Sequence, residues 1–157
     1  MIRIGVTGHI RLHPSSSAVI YAALTSLLRT YPVVHGVTCL AEGSDRLFAT
    51  AVQACAGTYE AVLPVPSGGS RADRTLRRFL RRAVQVREVR APGGPEEAYA
   101  DASREMLDRS DMLVAVWDGV ESGGRGGTAD TVARARAAGK KVVVIWPDGA
   151  RRAVSTA

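Results

Sequence analysis

The chain has 157 residues, 46% of them hydrophobic, and a formal charge of +6. That length suits one domain around one sizeable core, and no apolar run approaches the roughly 20 residues of a membrane-spanning helix. The charge is a local matter: residues 70–90 hold eight arginines against Asp73 and Glu88, a balance of +6 that leaves the rest of the chain neutral.

The start, Met1-Ile2-Arg3-Ile4-Gly5, reads as a strand (2–7) and not as a signal peptide, and a cytoplasmic location is expected. From Ala18 to Arg29, apolar residues at 19, 20, 23, 24, 27 and 28 follow helical spacing, with Ser15 to Ser17 as capping candidates. A continuous apolar run at 33–40, containing Cys39, predicts a second strand, and about 44–56, containing Cys55, a helix; both cysteines read as reduced core residues. A third strand is expected at 59–63 and a helix at 70–83, where arginines at 71, 74, 78 and 81 or 82 lie opposite Leu76, Phe79, Leu80 and Ala83 and form a wet face. In the strand at 84–89, Val84, Val86 and Val89 alternate with charge, as at a sheet edge, and Pro92-Gly93-Gly94-Pro95 forces a loop. A helix at 96–109, a strand at 111–117, a helix at 128–138 and a strand at 141–146 complete the pattern. Strictly alternating strands and helices, with continuously apolar strands, predict an α/β fold: a single doubly wound, mostly parallel Rossmann-like sheet with helices on both faces. The domain is expected to span 1–149, with 150–157 as a frayed tail.

In such sheets ligands settle outside the carboxyl ends of the strands, so three loops draw attention. Thr7-Gly8-His9 combines a glycine that admits close backbone approach with two hydrogen-bonding side chains. In Ala41 to Arg46, Glu42, Gly43, Ser44, Asp45 and Arg46 crowd carboxylates and a guanidinium into one turn, a composition suited to sugar hydroxyls; helix capping by Ser44 or Asp45 is the simpler explanation. The third loop runs from Asp118 and Gly119 to Thr128. Glycines 123, 124, 126 and 127 leave main-chain N–H groups free to converge on an anion, and the helix that starts at Thr128 adds its positive end. Asp130 in that helix is either a surface residue or a carboxylate aimed at the ligand. Trp117 lies near enough to this loop to stack on a base, although a place at the rim of the core explains it as well. His13 and His35 lack the companions of a zinc site, and no metal is expected.

The segments GVTGH (5–9), AEGSDR (41–46), AVLP (61–64), Ala98-Tyr99, SDMLVAVWDG (110–119) and GGRGGTADTVARAR (123–136) together resemble the SLOG superfamily, which contains the LOG phosphoribohydrolases and the DNA-processing protein A family. The resemblance implies a nucleotide-type ligand with its phosphate on Gly123 to Thr128, Pro64 among the ligand contacts, no resident cofactor, and a homo-oligomer. It also marks two departures from catalytic LOG proteins. The proline before the glycines is missing, and Thr131 stands where their glutamate stands; Asp130, one residue earlier, is rotated by about 100° on a helix. No counterpart of their arginine motif is found. The primary expectation is therefore binding of a phosphate-bearing nucleotide or ADP-ribose-like molecule. The alternative is hydrolysis of the N-glycosidic bond of a nucleoside 5′-monophosphate, with Asp130, Asp45 and Glu42 as candidate catalytic carboxylates. A nucleic-acid partner for the arginine helix is not expected.

Overall fold

A computed structural model describes residues 1–69, 72–120 and 126–153. Among them, strands β1 (Ile2–Gly8), β2 (Val34–Thr38), β3 (Thr58–Val65), β4 (Gln85–Arg90), β5 (Met112–Val116) and β6 (Lys141–Ile145) alternate with helices α1 (Ser16–Leu28), α2 (Ser44–Ala54), α3 (Arg74–Arg82), α4 (Pro95–Asp108) and α5 (Thr128–Ala137). All strand pairings are parallel and the order is β4-β3-β2-β1-β5-β6. The doubly wound sheet expected from the sequence is the one found. Winding reverses between β1 and β5, where the register places Gly8 beside Val116.

Side-chain alternation along the strands divides the core in two. Ile4, Val6, Met112, Val114 and Val116 join Ile20, Leu24 and Leu28 of α1 and Phe48 and Val52 of α2. Val37, Val62, Leu113 and Ala115 pack against Ala102 and Met106 of α4 and Val132 and Ala135 of α5. Each residue type thus meets the requirement that a sheet covered on both faces be apolar on both. The central strand has no room for a side chain at Gly5: a Cβ there would lie 2.6 Å from the sulfur of Met106. β4 is the sheet edge, as its charge pattern indicates, and α3 buries no residue completely, resting on the core only through Leu76, Phe79 and Leu80.

At the amino ends of the strands, buried Glu60 accepts from Arg3 Nη2 at 2.7 Å and from Arg109 Nε and Nη2 at 2.6 and 3.0 Å. Burial pushes the Glu60 carboxyl up, but the hydrogen bonds and charge of Arg109, with Arg3 and His35 nearby, outweigh it and hold it below its usual range. At the opposite end of the chain, the segment expected to fray begins with paired residues. Leu12 and Arg152 form an antiparallel bridge, His13 N–H donates to Arg151 O, Ala153 N–H donates to Arg11 O, and Arg151 N–H donates to Ser16 Oγ at 2.7 Å. Residues 151–153 therefore strap the β1–α1 loop, because that loop offers main-chain groups that would otherwise lack partners.

Candidate functional site

A cleft of about 660 Å³ opens at the carboxyl ends of β1, β2 and β3, beside the winding reversal, with residues of α2, α3, α4 and α5 around it. Thr7, Gly8 and His9 form one wall, Glu42, Asp45 and Arg46 another, Pro64 a third, and Gly126, Gly127 and Thr128 a fourth. Residues from the three loops singled out in the sequence, together with Pro64 near the end of β3, thus line one space.

The first two loops are locked together by main-chain geometry. Ser44 N–H and Ser44 Oγ both donate to His9 O, at 3.2 and 2.8 Å. Gly43 has φ 78°, and a Cβ there would stand 2.6 Å from Ile10 O; a Cβ on Gly8 would stand 2.5 Å from Ser44 Cβ. Both glycines are demanded by this close crossing, so Gly43 and Ser44 act beneath the cleft and do not line it. Neither Ser44 nor Asp45 caps α2. The cap position is Gly43, and the Asp45 carboxylate instead accepts from Ala41 N–H at 3.3 Å. Asp45 is buried to 6% exposure, and burial pushes its carboxyl up to about 7 in spite of the opposing donors Ala41 N–H, Thr38 and Cys39 N–H and the nearby charge of Arg46. The sulfhydryl of Cys39, buried beside it, is raised well above its ordinary value by burial and by Asp45. Arg46 donates from Nε to Leu40 O at 3.1 Å and lies 3.7 Å from Asp73, which caps α3 through Leu76 N–H.

His9 is buried, its ring meeting Trp146 edge-on at 5.4 Å. Its Nε2 lies 3.2 Å from Asp118 N and 3.2 Å from Asp118 Oδ1. These contacts make opposite demands, since the amide needs a lone pair and the carboxylate a proton. Burial, followed by the charge of Arg152, lowers the imidazole below its ordinary value against the pull of Asp118, which favours the neutral ring; with the ring proton on Nδ1, Nε2 accepts from the amide. Asp118 also accepts Val120 N–H and lies 3.6 Å from Arg152. Asp118 and Gly119 stand behind His9 and outside the described lining.

The glycine loop is described only in part. Gly123 and Gly124 lie outside the described residues. Gly126 has φ 77°, and a Cβ on it would be 2.8 Å from the Ala100 Cα, so α4 and the loop touch backbone to backbone. Gly127 is the cap residue of α5, whose opening N–H groups have no intrahelical partner. The Gly126 N–H, however, is already taken by Asp130 Oδ2 at 2.9 Å, with Arg134 Nε 3.2 Å from the same oxygen. That amide bond is the leading reason the Asp130 carboxyl sits below its usual range. Asp130 therefore braces the loop and is absent from the described lining, whereas the other two candidate carboxylates, Glu42 and Asp45, belong to it.

Of the other lining residues, Tyr99 belonged to a segment of the family resemblance, and Glu96, Ser103 and Met106 had no local signal of function. Glu96, Tyr99, Ser103 and Met106 of α4 reach the cleft because α4 packs beside α5, and helical spacing alone gives no account of that neighbour. Tyr99, 48% exposed, is an aromatic surface in the cleft. Trp117 is not: its Nε1–H donates to Val120 O and its ring rests on the core. Among the described residues no group of three or more His, Cys, Asp or Glu is placed to hold a metal ion, and no helix is long and apolar enough to cross a membrane.

No family model and no curated protein matches the sequence. Solved structures do match in architecture. DNA processing protein A from Streptococcus pneumoniae has a TM-score of 0.70 at 17% identity over 95% of this chain and 52% of its own. The same protein from Helicobacter pylori, described for its single-stranded DNA binding mode, gives 0.68 at 14% over 94% and 66%. The molybdenum cofactor carrier protein of Chlamydomonas reinhardtii gives 0.56 at 21% over 92% and 75%. The shared feature is the Rossmann-like α/β fold with a parallel six-stranded sheet. At these identities the likeness is one of fold alone, and this chain spans about half the length of the Streptococcus protein. The expectation of no nucleic-acid partner draws no support from neighbours of this kind.

Proposed function

We propose that this SLOG-type domain binds a phosphate-bearing nucleotide or an ADP-ribose-like derivative in the cleft, with the phosphate at the amino end of α5. The observation that carries the proposal is the convergence of Gly127 and Thr128, at that helix terminus, on the same space as Thr7-Gly8-His9 and the Glu42–Arg46 turn. A helix amino terminus offers unpaired N–H donors and a partial positive charge to an anion. Because Asp130 occupies the Gly126 amide, the donors expected to serve among the described residues begin at Gly127. Carboxylates on the facing wall suit hydroxyls and amino groups, and the Tyr99 ring offers a flat apolar surface to a base. Thermal unfolding with adenosine 5′-monophosphate tests the reading: a ligand that binds only the folded state raises the transition progressively, with the logarithm of its concentration once the site is saturated. The wild type is expected to respond and Gly127→Val is expected not to; an equal response from both overturns the phosphate placement.

A second reading is favoured by one specific feature, the Asp45 carboxyl poised near neutrality in the cleft beside Glu42. Such a pair could support hydrolysis of a nucleoside 5′-monophosphate, one carboxylate facing the cationic sugar and one managing the proton. Release of free base from a panel of monophosphates, lost in Asp45→Asn and Glu42→Gln, is its expected signature; no release above a buffer blank refutes it. Homo-oligomer formation belongs to the same set of proposals and is read from light scattering after gel filtration.

A further inference from the structure

We propose that Arg152 is a positioning residue of the cleft: carried by the strap of residues 151–153, it holds Asp118 so that the Asp118 main-chain N–H donates to His9 Nε2 and keeps the ring in one orientation in the cleft wall. The proposal rests on the cleft being the binding site, although the geometry behind it does not.

Three links connect the strap to the cleft. Arg152 sits in the antiparallel bridge to Leu12, and its neighbours Arg151 and Ala153 are both hydrogen-bonded to the β1–α1 loop, so the side chain leaves the strap in a set direction. Its Nη1 lies 3.6 Å from Asp118 Oδ2, while the other carboxylate oxygen accepts Val120 N–H at 3.0 Å and faces His9. Finally, His9 Nε2 has two alternatives within reach, the Asp118 amide and the Asp118 carboxylate, both at 3.2 Å. A proton on Nε2 selects the carboxylate; a lone pair selects the amide. The cation of Arg152 shares the carboxylate and opposes a second positive charge beside it, which selects the amide. Loss of that cation leaves the carboxylate free to pair with an imidazolium, and the ring exchanges one partner for the other.

Asp118 and Arg152 are the charged groups that act on His9, and they act in opposite directions. This gives a test that simple loosening of the strap does not imitate. The His9 titration is followed by NMR of the imidazole nitrogens in the ligand-free protein, the signal being assigned by its loss in His9→Asn. Arg152→Ala is expected to raise the midpoint by a few tenths of a pH unit or more (on the order set by a nearby, partly screened charge), Arg152→Lys to restore it, and Asp118→Asn to lower it. Hydration of a loosened site would instead raise it in both Arg152→Ala and Asp118→Asn; that outcome, or no shift in Arg152→Ala, overturns the proposal. Thermal shift with adenosine 5′-monophosphate is run on the same proteins. Expected His9 midpoints with no nucleotide response in the wild type would sustain the positioning role and remove the nucleotide reading. A wild-type response with unmoved midpoints would do the reverse.

Discussion

Asp45→Asn isolates the energetic cost of keeping a buried ionisable carboxyl in the cleft wall. In the folded protein Asp45 titrates at about 7 because burial disfavours its charged form, whereas in the unfolded chain an aspartate titrates near pH ~3.9. The folded state therefore binds more protons than the unfolded state throughout the interval between about pH 4 and about pH 7, and stability falls as pH rises across it. The contribution is fully present below about pH 4 and lost by the time pH passes about 7. A gap of about three pH units corresponds to about 4 kcal/mol, an upper figure because water entering the cleft relieves part of the desolvation. The asparagine side chain of the variant does not titrate. Its own hydrogen-bonding mismatch, an amide NH₂ facing donors that formerly met an oxygen, lowers stability by a constant amount at every pH. The measured quantity is accordingly a slope: urea unfolding of both proteins between pH 4.5 and 8 should show the variant gaining on the wild type by up to about 1.4 kcal/mol per pH unit. Parallel curves, or a wild type that gains on the variant with rising pH, would refute the claim that burial dominates over the donors around Asp45.

Three further outcomes follow from the same structure. Gly126→Ala combines a left-handed backbone with a Cβ 2.8 Å from the Ala100 Cα, so it is expected to lower unfolding free energy by about 1–3 kcal/mol in urea titrations and to weaken any ligand response, since α4 must retreat from the loop. Glu60→Gln leaves Arg3 and Arg109 without their shared carboxylate and should cost about 2–4 kcal/mol at neutral pH, somewhat less than for fully enclosed pairs because both guanidiniums reach solvent. Glu60 is held below its usual range, so its contribution is present above the unfolded glutamate value and lost as pH falls through the folded one; acid unfolding should begin at higher pH in the wild type than the loss of the remaining carboxylates alone would set, and the difference between the two proteins should shrink toward low pH. Replacing Arg74, Arg78 and Arg81 together by alanine should change stability by less than about 1 kcal/mol and leave a nucleotide thermal shift intact, because these side chains belong to a helix with no fully buried residue. A steep, salt-dependent loss of oligonucleotide affinity in that variant would instead assign the arginine face to nucleic acid.

Much of this protein was written in local patterns. Continuous apolar strands such as Leu113 to Val116 can satisfy both faces only inside a two-sided α/β sheet, and the charge-interleaved valines of β4 tolerate only an edge; both demands are carried by neighbouring residues and need no knowledge of the rest of the chain. The loops after β1, β2 and β5 likewise stood out in the sequence as candidates, because a parallel sheet places all its carboxyl ends on one side. Tertiary structure alone decided what the carboxylates do. Asp130 and Asp45 look alike in sequence, each in the first turn of a helix after a glycine-containing loop, yet one turns back to the Gly126 amide, away from the described lining, and the other is buried in the cleft wall. Helix phase and depth of burial separate them, and both depend on how α2 and α5 pack on the sheet. The α4 wall with Tyr99 and Glu96, and the strap that brings Arg152 to Asp118, join residues far apart in the chain. Their proximity is a property of the closed fold, set by which helix covers which face, and no local spacing encodes it.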